Sequence, residues 1–126
     1  MVTGFIVKRE INKNVMGFEP INERICKIRL KGKYRNITLI NIHAPTEEND
    51  DDVKEQFYAE LQQVQEKVPN QDQFIILGDC NAKIGRENAY QKVTSKHILH
   101  DTTNGNGLLV CEYATVNGMV VARTFF

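Results

Sequence analysis

A mixed α/β fold is predicted, because strand-like and helix-like patterns alternate along the chain. Residues 24–30 alternate between apolar and basic side chains, which is typical of a half-exposed strand. Residues 53–68 carry apolar side chains at steps of three and four, which is typical of an amphipathic helix. Residues 74–77 form an apolar run without polar alternation, which predicts a strand buried on both faces. From residue 24 onward, the predicted order is strand, strand, helix, strand, helix, strand.

The early strands are predicted from short apolar segments bounded by turn residues. Residues 4–7 predict a short buried strand. Residues 24–30 and 36–43 flank the turn at 31–33 (Lys-Gly-Lys), and we expect them to pair as an antiparallel hairpin. Pro45 ends the second of these strands, since proline lacks the N–H group that a strand donates to its neighbour.

The first helix is predicted to follow an acidic run at residues 46–52, because the helix macrodipole favours negative charge at the N-terminus. The helix is expected to end at Pro69. Its apolar stripe is predicted to belong to the core rather than to a cofactor site. The stripe consists of Val53, Phe57, Leu61, Val64 and Val68.

A second helix is predicted within residues 104–118, with Asn104 or Asn106 as its N-terminal cap and Gly118 closing its C-terminus. Residues 86–103 are polar and aperiodic and predict a long loop, whereas residues 119–126 return to a strand-like pattern. The side chains expected to pack from this helix are Leu108, Leu109 and Ala114.

The composition is that of one globular domain without a global charge. Lys and Arg number 16 and Asp and Glu number 16, so no overall basic field indicates nucleic acid, although a local basic groove remains compatible with this balance. The three cysteines, Cys26, Cys80 and Cys111, form no close-spaced pair, which argues against a zinc site or a disulfide framework and for an intracellular setting. The apolar runs are too short to span a membrane.

Gly78-Asp79-Cys80-Asn81 follows the apolar run directly and is the first candidate site. Taken alone, this segment is also typical of an ordinary polar turn. A calcium loop beginning at Asp79 is excluded, because its sixth position would need glycine and the chain has Ile84 there. The functional interpretation is that the Asp79 carboxylate deprotonates a water molecule while the Asn81 amide donates a hydrogen bond to a phosphate oxygen.

The segment Asn41-Ile42-His43-Ala44-Pro45-Thr46 is the second candidate site, again at the end of an apolar strand. His43 is either a partly exposed strand-end histidine or a hydrogen-bond donor to phosphate, with Thr46 nearby. The combination of the two motifs, separated by one helix, favours the functional interpretation.

The stretch "NIHAPTEENDDDVKEQFYAEL…FIILGDCNAKIGRE" resembles the endonuclease/exonuclease/phosphatase superfamily. Within it, the chain is most similar to the endonuclease domains of non-LTR retrotransposons and the craniofacial-development-protein-2-like sequences derived from them. The resemblance implies a DNase I-like four-layer fold, in which a two-sheet β-sandwich is flanked by helices. It also implies magnesium- or manganese-dependent cleavage of DNA phosphodiesters, a nuclear location and a reverse transcriptase domain in the same parent polypeptide.

The resemblance implies a role for each matching residue. Asp79 would activate the attacking water, Asn81 would bind the scissile phosphate, and His43 would contact phosphate at a position that is commonly tyrosine. A histidine there donates a hydrogen bond in a pH-dependent manner. Thr46 stands where many members carry asparagine. Lys83 and Arg86 are either phosphate contacts or solvated loop charges.

The family's metal-binding glutamate and its terminal Asp-His pair have no match here, and His97 and His100 do not fit that pair. We therefore expect residues 1–126 to be the central portion of a single domain, truncated at both ends and inactive or nearly so by itself. No metal ligand is identified in the chain. Two alternatives stay open: a domesticated, non-catalytic module that binds nucleic acid or protein, and a phosphatase of the same superfamily.

Overall fold

The computed structural model describes residues 3–82 and 105–122, and these form two compact units. The first unit comprises residues 3–44 and 59–79, and the second comprises residues 45–58, 80–82 and 105–122. The predicted mixed α/β class is confirmed. The elements are α1 (Arg9–Asn12), β1 (Val15–Pro20), β2 (Ile25–Leu30), β3 (Ile37–His43), α2 (Asp51–Glu66), β4 (Gln73–Asp79) and α3 (Gly105–Val116).

The four strands form one mixed sheet in the order β1-β2-β3-β4. The predicted hairpin is confirmed, because β2 and β3 are antiparallel, with Arg29 opposite Thr38. β4 lies parallel to β3, to which it is connected through α2. The described strands make this single sheet, so the second sheet of a sandwich stays a prediction. Among the described helices, none has the length and apolar content needed to cross a bilayer.

Both faces of the sheet carry buried apolar side chains of the first unit. Ile25, Ile40 and Ile42 lie on one face, and Cys26 and Ile28 of β2 lie on the other; all five are almost completely buried. The prediction that β2 is half exposed is therefore wrong. Leu61 and Val64, in the second half of α2, are buried in the same unit, which confirms this part of the predicted stripe. Burial of these branched side chains is the main favourable contribution to the stability of the unit.

The predicted stripe is wrong at its first position, since Val53 is 40% exposed. The neighbouring Lys54 is buried instead, at 5% exposure. Its Nζ donates a hydrogen bond to the Glu47 carbonyl oxygen (2.9 Å) and lies 3.7 Å from Glu47 Oε1. The ammonium group therefore has acceptors where it is buried, which explains how a charged residue occupies a position that the pattern assigns to valine.

The prediction that residues 74–77 are buried on both faces is also wrong. β4 is the edge strand of the described sheet, and Ile75 and Leu77 are 52% and 40% exposed. An apolar run shows that a segment is hydrophobic, but not how many neighbours its strand has.

The predicted strand at residues 4–7 does not form, because residues 3–8 have no regular secondary structure and Ile6 is fully exposed. The segment is held by other contacts. The Gly4 carbonyl oxygen accepts a hydrogen bond from Asn41 Nδ2 (2.8 Å), and the rings of Phe5 and Phe18 pack edge to face. The strand at this end of the chain is instead β1, whose glycine and proline give a weak strand signal.

The second unit is built around α3. Cys111 and Ala114 are buried as part of its core, whereas Leu108, which we predicted to pack, is 41% exposed. Gly118 closes the helix as predicted, with a φ of 65°, and the Met119 N–H donates to the Ala114 carbonyl oxygen (2.8 Å). Of the predicted final strand, the described residues show a single bridge residue, Val121; residues 123–126 and the predicted loop at 86–103 lie outside the described residues.

A partly buried ion pair joins the strands of the first unit. Arg29 Nε and Nη2 donate to the two carboxylate oxygens of Asp72 (2.8 and 2.9 Å), and the Thr38 hydroxyl donates to Oδ2 (2.7 Å). The Asp72 side chain is only 2% exposed. Because Arg29, Thr38 and Asp72 come from β2, from β3 and from the residue before β4, the carboxylate fixes three strands relative to one another.

We expect Asp72→Asn to lower the melting temperature by about 5 °C or more, because the amide cannot accept both guanidinium hydrogen bonds. The Arg29 guanidinium, assisted by the Thr38 hydroxyl and opposed by burial, holds the pKa of Asp72 below its usual value. The stabilisation is therefore fully present above the unfolded-state pKa of about 4 and is lost as the pH falls through the lower folded-state value.

Thermal melts of both proteins between neutral and strongly acidic pH measure this effect. The difference in melting temperature is expected to shrink on acidification. Glu19→Gln is the matched control, since it removes the exposed pair with Lys27 (3.2 Å), and such pairs contribute little. Equal effects of the two substitutions, or a difference that grows at low pH, would contradict the assignment.

Candidate functional site

The parallel pairing of β3 and β4 brings the two predicted motifs together. His43 and Asp79 are register partners at the ends of these strands, and the Ala44 N–H donates to the Asp79 carbonyl oxygen (2.8 Å). Partners in a ladder point to the same face of the sheet, and neighbouring strands lie about 4.8 Å apart. The two side chains therefore project from adjacent positions on the same face of the sheet.

Gly78 permits this close approach. Its φ is +123°, which side chains rarely adopt, and a Cβ atom there would collide with the Ile42 carbonyl oxygen and lie 2.7 Å from Asn41 Oδ1. Only glycine both adopts this positive φ readily and leaves β3 in place, because it has no Cβ atom. The glycine of the Gly-Asp-x-Asn motif thus has a structural cause, which is the contact between the two strand ends.

The backbone of His43 is held on its other side by Arg24. The His43 N–H donates to the Arg24 carbonyl oxygen (2.9 Å), and Arg24 Nη1 donates to the His43 carbonyl oxygen (3.1 Å). The backbone N–H of Arg24 donates in turn to Asn22 Oδ1 (2.8 Å). Sequence reasoning missed Arg24, because nothing in the alternating pattern distinguishes it from other exposed basic residues.

The side chains at this edge differ in their surroundings. His43 Nδ1 is buried and, among the described residues, has no hydrogen-bond partner. The Asp79 side chain lies at an exposed position. A buried ring nitrogen without a partner is uncommon in folded proteins and is a feature of sites that bind a polar group. The pair offers a ring that can donate and a carboxylate that can accept a proton.

Asn81 lies in the second unit in a left-handed conformation, with a φ of 47°. Its carbonyl oxygen accepts a hydrogen bond from Asn106 Nδ2 (2.8 Å), and the same nitrogen donates to the Pro45 carbonyl oxygen (3.0 Å). Asn106 is only 2% exposed. Its predicted role as an N-cap is wrong, because α3 begins at Gly105, whereas Asn104 lies outside the described residues.

Thr46 is occupied by a local turn. Its N–H and its hydroxyl both donate to Asn49 Oδ1, at 2.9 Å each, just before α2 begins. These turn hydrogen bonds give Thr46 a structural role that does not require contact with phosphate. The predicted contact of Thr46 with phosphate stays a prediction. Lys83 and Arg86, and also His97 and His100, lie outside the described residues.

No group of three or more His, Cys, Asp or Glu side chains is placed to hold a metal ion within residues 3–82 and 105–122. At the strand ends, Asp79 has a histidine as its register partner.

The fold and the site define a mixed α/β protein with a histidine and an aspartate at the carboxyl ends of two parallel strands. No family model matches the chain. The chain is 31% identical over 121 residues to craniofacial development protein 2 of Bos taurus, and equally to that of Tragulus javanicus. The matches confirm the predicted similarity to craniofacial-development-protein-2-like sequences, whereas the superfamily stays a prediction.

The matches cover 96% of this chain but 20% and 21% of the two relatives. The chain thus spans about a fifth of the length of the curated relatives it matches.

Proposed function

We propose that this chain carries part of the site of a phosphodiester-cleaving enzyme, of the kind that nicks DNA. The observation that supports the proposal is the register pairing of His43 with Asp79, which places an imidazole and a carboxylate side by side on one face of the sheet. Both side chains stand on paired strands rather than on a loop, and rigid mounting of this kind is what hydrolytic chemistry requires.

The roles follow from the chemistry of the two groups. His43 donates a hydrogen bond from its ring to a non-bridging phosphate oxygen. Asp79 accepts a proton from the attacking water. The water oxygen forms a new bond to phosphorus, and the bond from phosphorus to the leaving sugar oxygen breaks; that oxygen takes up a proton from solvent.

Asn81 is assigned to phosphate binding by its place two residues after Asp79 in the sequence and by the resemblance described above. Its carboxamide would donate a hydrogen bond to a phosphate oxygen. No described residue is proposed as a ligand of the magnesium or manganese ion implied by the same resemblance.

Plasmid nicking tests the proposal. Because the chain spans about a fifth of its relatives, the assay is run on this chain and on the full reading frame that contains it. Conversion of supercoiled plasmid to open circles is expected from the full reading frame in magnesium and not in EDTA, whereas this chain alone is expected to nick little or not at all. If neither polypeptide nicks DNA at any magnesium or manganese concentration, the proposal is wrong.

A further inference from the structure

We propose that Asn106 is a positioning residue that fixes the conformation of Asn81 and thereby the direction of the Asn81 carboxamide. The inference deepens the proposed function and rests on it in one respect, namely that the Asn81 carboxamide contacts phosphate. The effect of Asn106 on the backbone conformation of Asn81 is argued only from contacts within the second unit and does not depend on the proposed function.

The geometry of Asn106 is the first step. Its side-chain nitrogen has two hydrogen atoms, and two carbonyl oxygens accept from it: that of Asn81 at 2.8 Å and that of Pro45 at 3.0 Å. These acceptors belong to the two motifs, which are far apart in sequence. The Asn106 side chain, at 2% exposure, thus connects the two motifs through hydrogen bonds.

The left-handed backbone of Asn81 is the second step. A φ of 47° is unfavourable for most residues, although asparagine tolerates it better than others. The conformation must be maintained by contacts outside the residue, and the bond from Asn106 Nδ2 to its carbonyl oxygen is such a contact. A change of φ or ψ at Asn81 would redirect its side chain, since the Cα–Cβ bond turns with the backbone.

Asn106 is itself held in place, which is the third step. Its backbone N–H donates to Glu47 Oε2 (2.9 Å), and Lys54 Nζ lies 3.7 Å from Glu47 Oε1. Gly105 allows the approach, because a Cβ there would lie 2.6 Å from Glu47 Oε1. The carboxylate of Glu47 therefore anchors the first turn of α3, and the Asn106 side chain reaches both carbonyl groups from a fixed position.

Nuclear magnetic resonance of the wild-type chain provides the first test and needs no variant. Both side-chain amide protons of Asn106 are expected to exchange with solvent much more slowly than those of an exposed asparagine, because both are bonded and buried. Exchange at the rate of a solvated amide would overturn the proposal.

Asn106→Asp provides the second test, since it keeps the shape and removes both donors. Asn117→Asp is the matched control just after the end of the same helix, where the Asn117 side-chain nitrogen donates to the Tyr113 carbonyl oxygen (2.8 Å). The resonances of Asn81 are expected to shift in the first variant and not in the second. At low pH the protonated aspartic acid regains one donor, so the Asn81 resonances are expected to move back toward the wild-type positions.

Binding of a short fluorescein-labelled DNA duplex provides the functional readout. Asn106→Asp and Asn81→Ala are each expected to weaken binding roughly 5–10-fold, the size of one lost hydrogen bond. In the double variant the losses are expected not to add, because one residue acts through the other.

The outcomes separate the inference from the proposed function. If Asn81→Ala leaves DNA binding unchanged while Asn106→Asp shifts the Asn81 resonances, the phosphate contact is wrong and the positioning role holds. If the Asn81 resonances do not respond to Asn106→Asp, the positioning role is wrong whatever the DNA result. If both single variants weaken binding and their losses are fully additive in the double variant, Asn106 does not act through Asn81 and the positioning role is wrong as well. If Asn106→Asp does not fold, the positioning role is tested by the solvent exchange rates of the Asn106 side-chain amide protons in the wild-type chain.

Discussion

Asp79→Asn, introduced into the full reading frame that contains this chain, is expected to reduce the rate of plasmid nicking by about 10²–10⁴-fold, the usual contribution of a general base. Asparagine is isosteric with aspartate but cannot accept the proton of the attacking water. The free energy of unfolding of the variant is measured alongside, so that a loss of folding is separated from a loss of the chemical step. DNA affinity is expected to stay constant or rise, because a negative charge near the phosphate is removed.

The assay compares initial nicking rates at saturating DNA, so that a change in the chemical step is separated from a change in binding. Asp51→Asn is the control, since Asp51 is an exposed acid in the first turn of α2 and lies outside the proposed site. Equal rates for wild type and Asp79→Asn would falsify the role of Asp79. A loss that appears only as weaker DNA binding would assign Asp79 to binding instead of to proton transfer.

The sequence was sufficient to predict where the candidate residues stand, because each one ends an apolar run. His43 and Asp79 were placed at the ends of strands, and the structure places them there. Their pairing was not predictable in the same way, since register depends on which strands are neighbours and not on either strand alone. The observed register also corrects the burial of β4, where Ile75 and Leu77 are exposed at the sheet edge.

Asn106 shows a different limit of sequence reasoning. An asparagine near the start of a helix is most simply interpreted as a cap, because its side chain often bonds to the first N–H groups. Here the side chain bonds to Pro45 and Asn81, and Glu47 accepts the N–H instead. All three partners are distant in sequence, so no local pattern contains them.

The pairing of Arg29 with Asp72 was likewise not predictable from local sequence. Asp72 lies in a turn and Arg29 on a strand, and their residue types alone give no reason to pair them. The pairing follows from the register of β2 with β3, which sets Arg29 opposite Thr38 and brings both within reach of Asp72. By contrast, the apolar positions of α2 were predictable at Phe57, because helical periodicity is a local property.

Gly78→Ala is expected to destabilise the first unit by about 2–4 kcal/mol, the range for a strained backbone combined with a steric clash. The new methyl group would collide with the Ile42 carbonyl oxygen, and alanine disfavours a φ of +123°. Relief of the collision requires the end of β4 to move away from β3. That movement would weaken the hydrogen bond from the Ala44 N–H to the Asp79 carbonyl oxygen and separate Asp79 from His43.

Urea unfolding measures the loss of stability, and hydrogen exchange of the Ala44 amide measures the local separation of the strands. Gly17→Ala is the matched control, because Gly17 lies in β1 with open space around the position of a Cβ atom. It is expected to change the unfolding free energy by no more than about 0.5–1 kcal/mol. If Gly78→Ala behaves like Gly17→Ala in both measurements, the close approach of the strand ends does not depend on this glycine, and the structural cause given for the Gly-Asp-x-Asn motif is wrong.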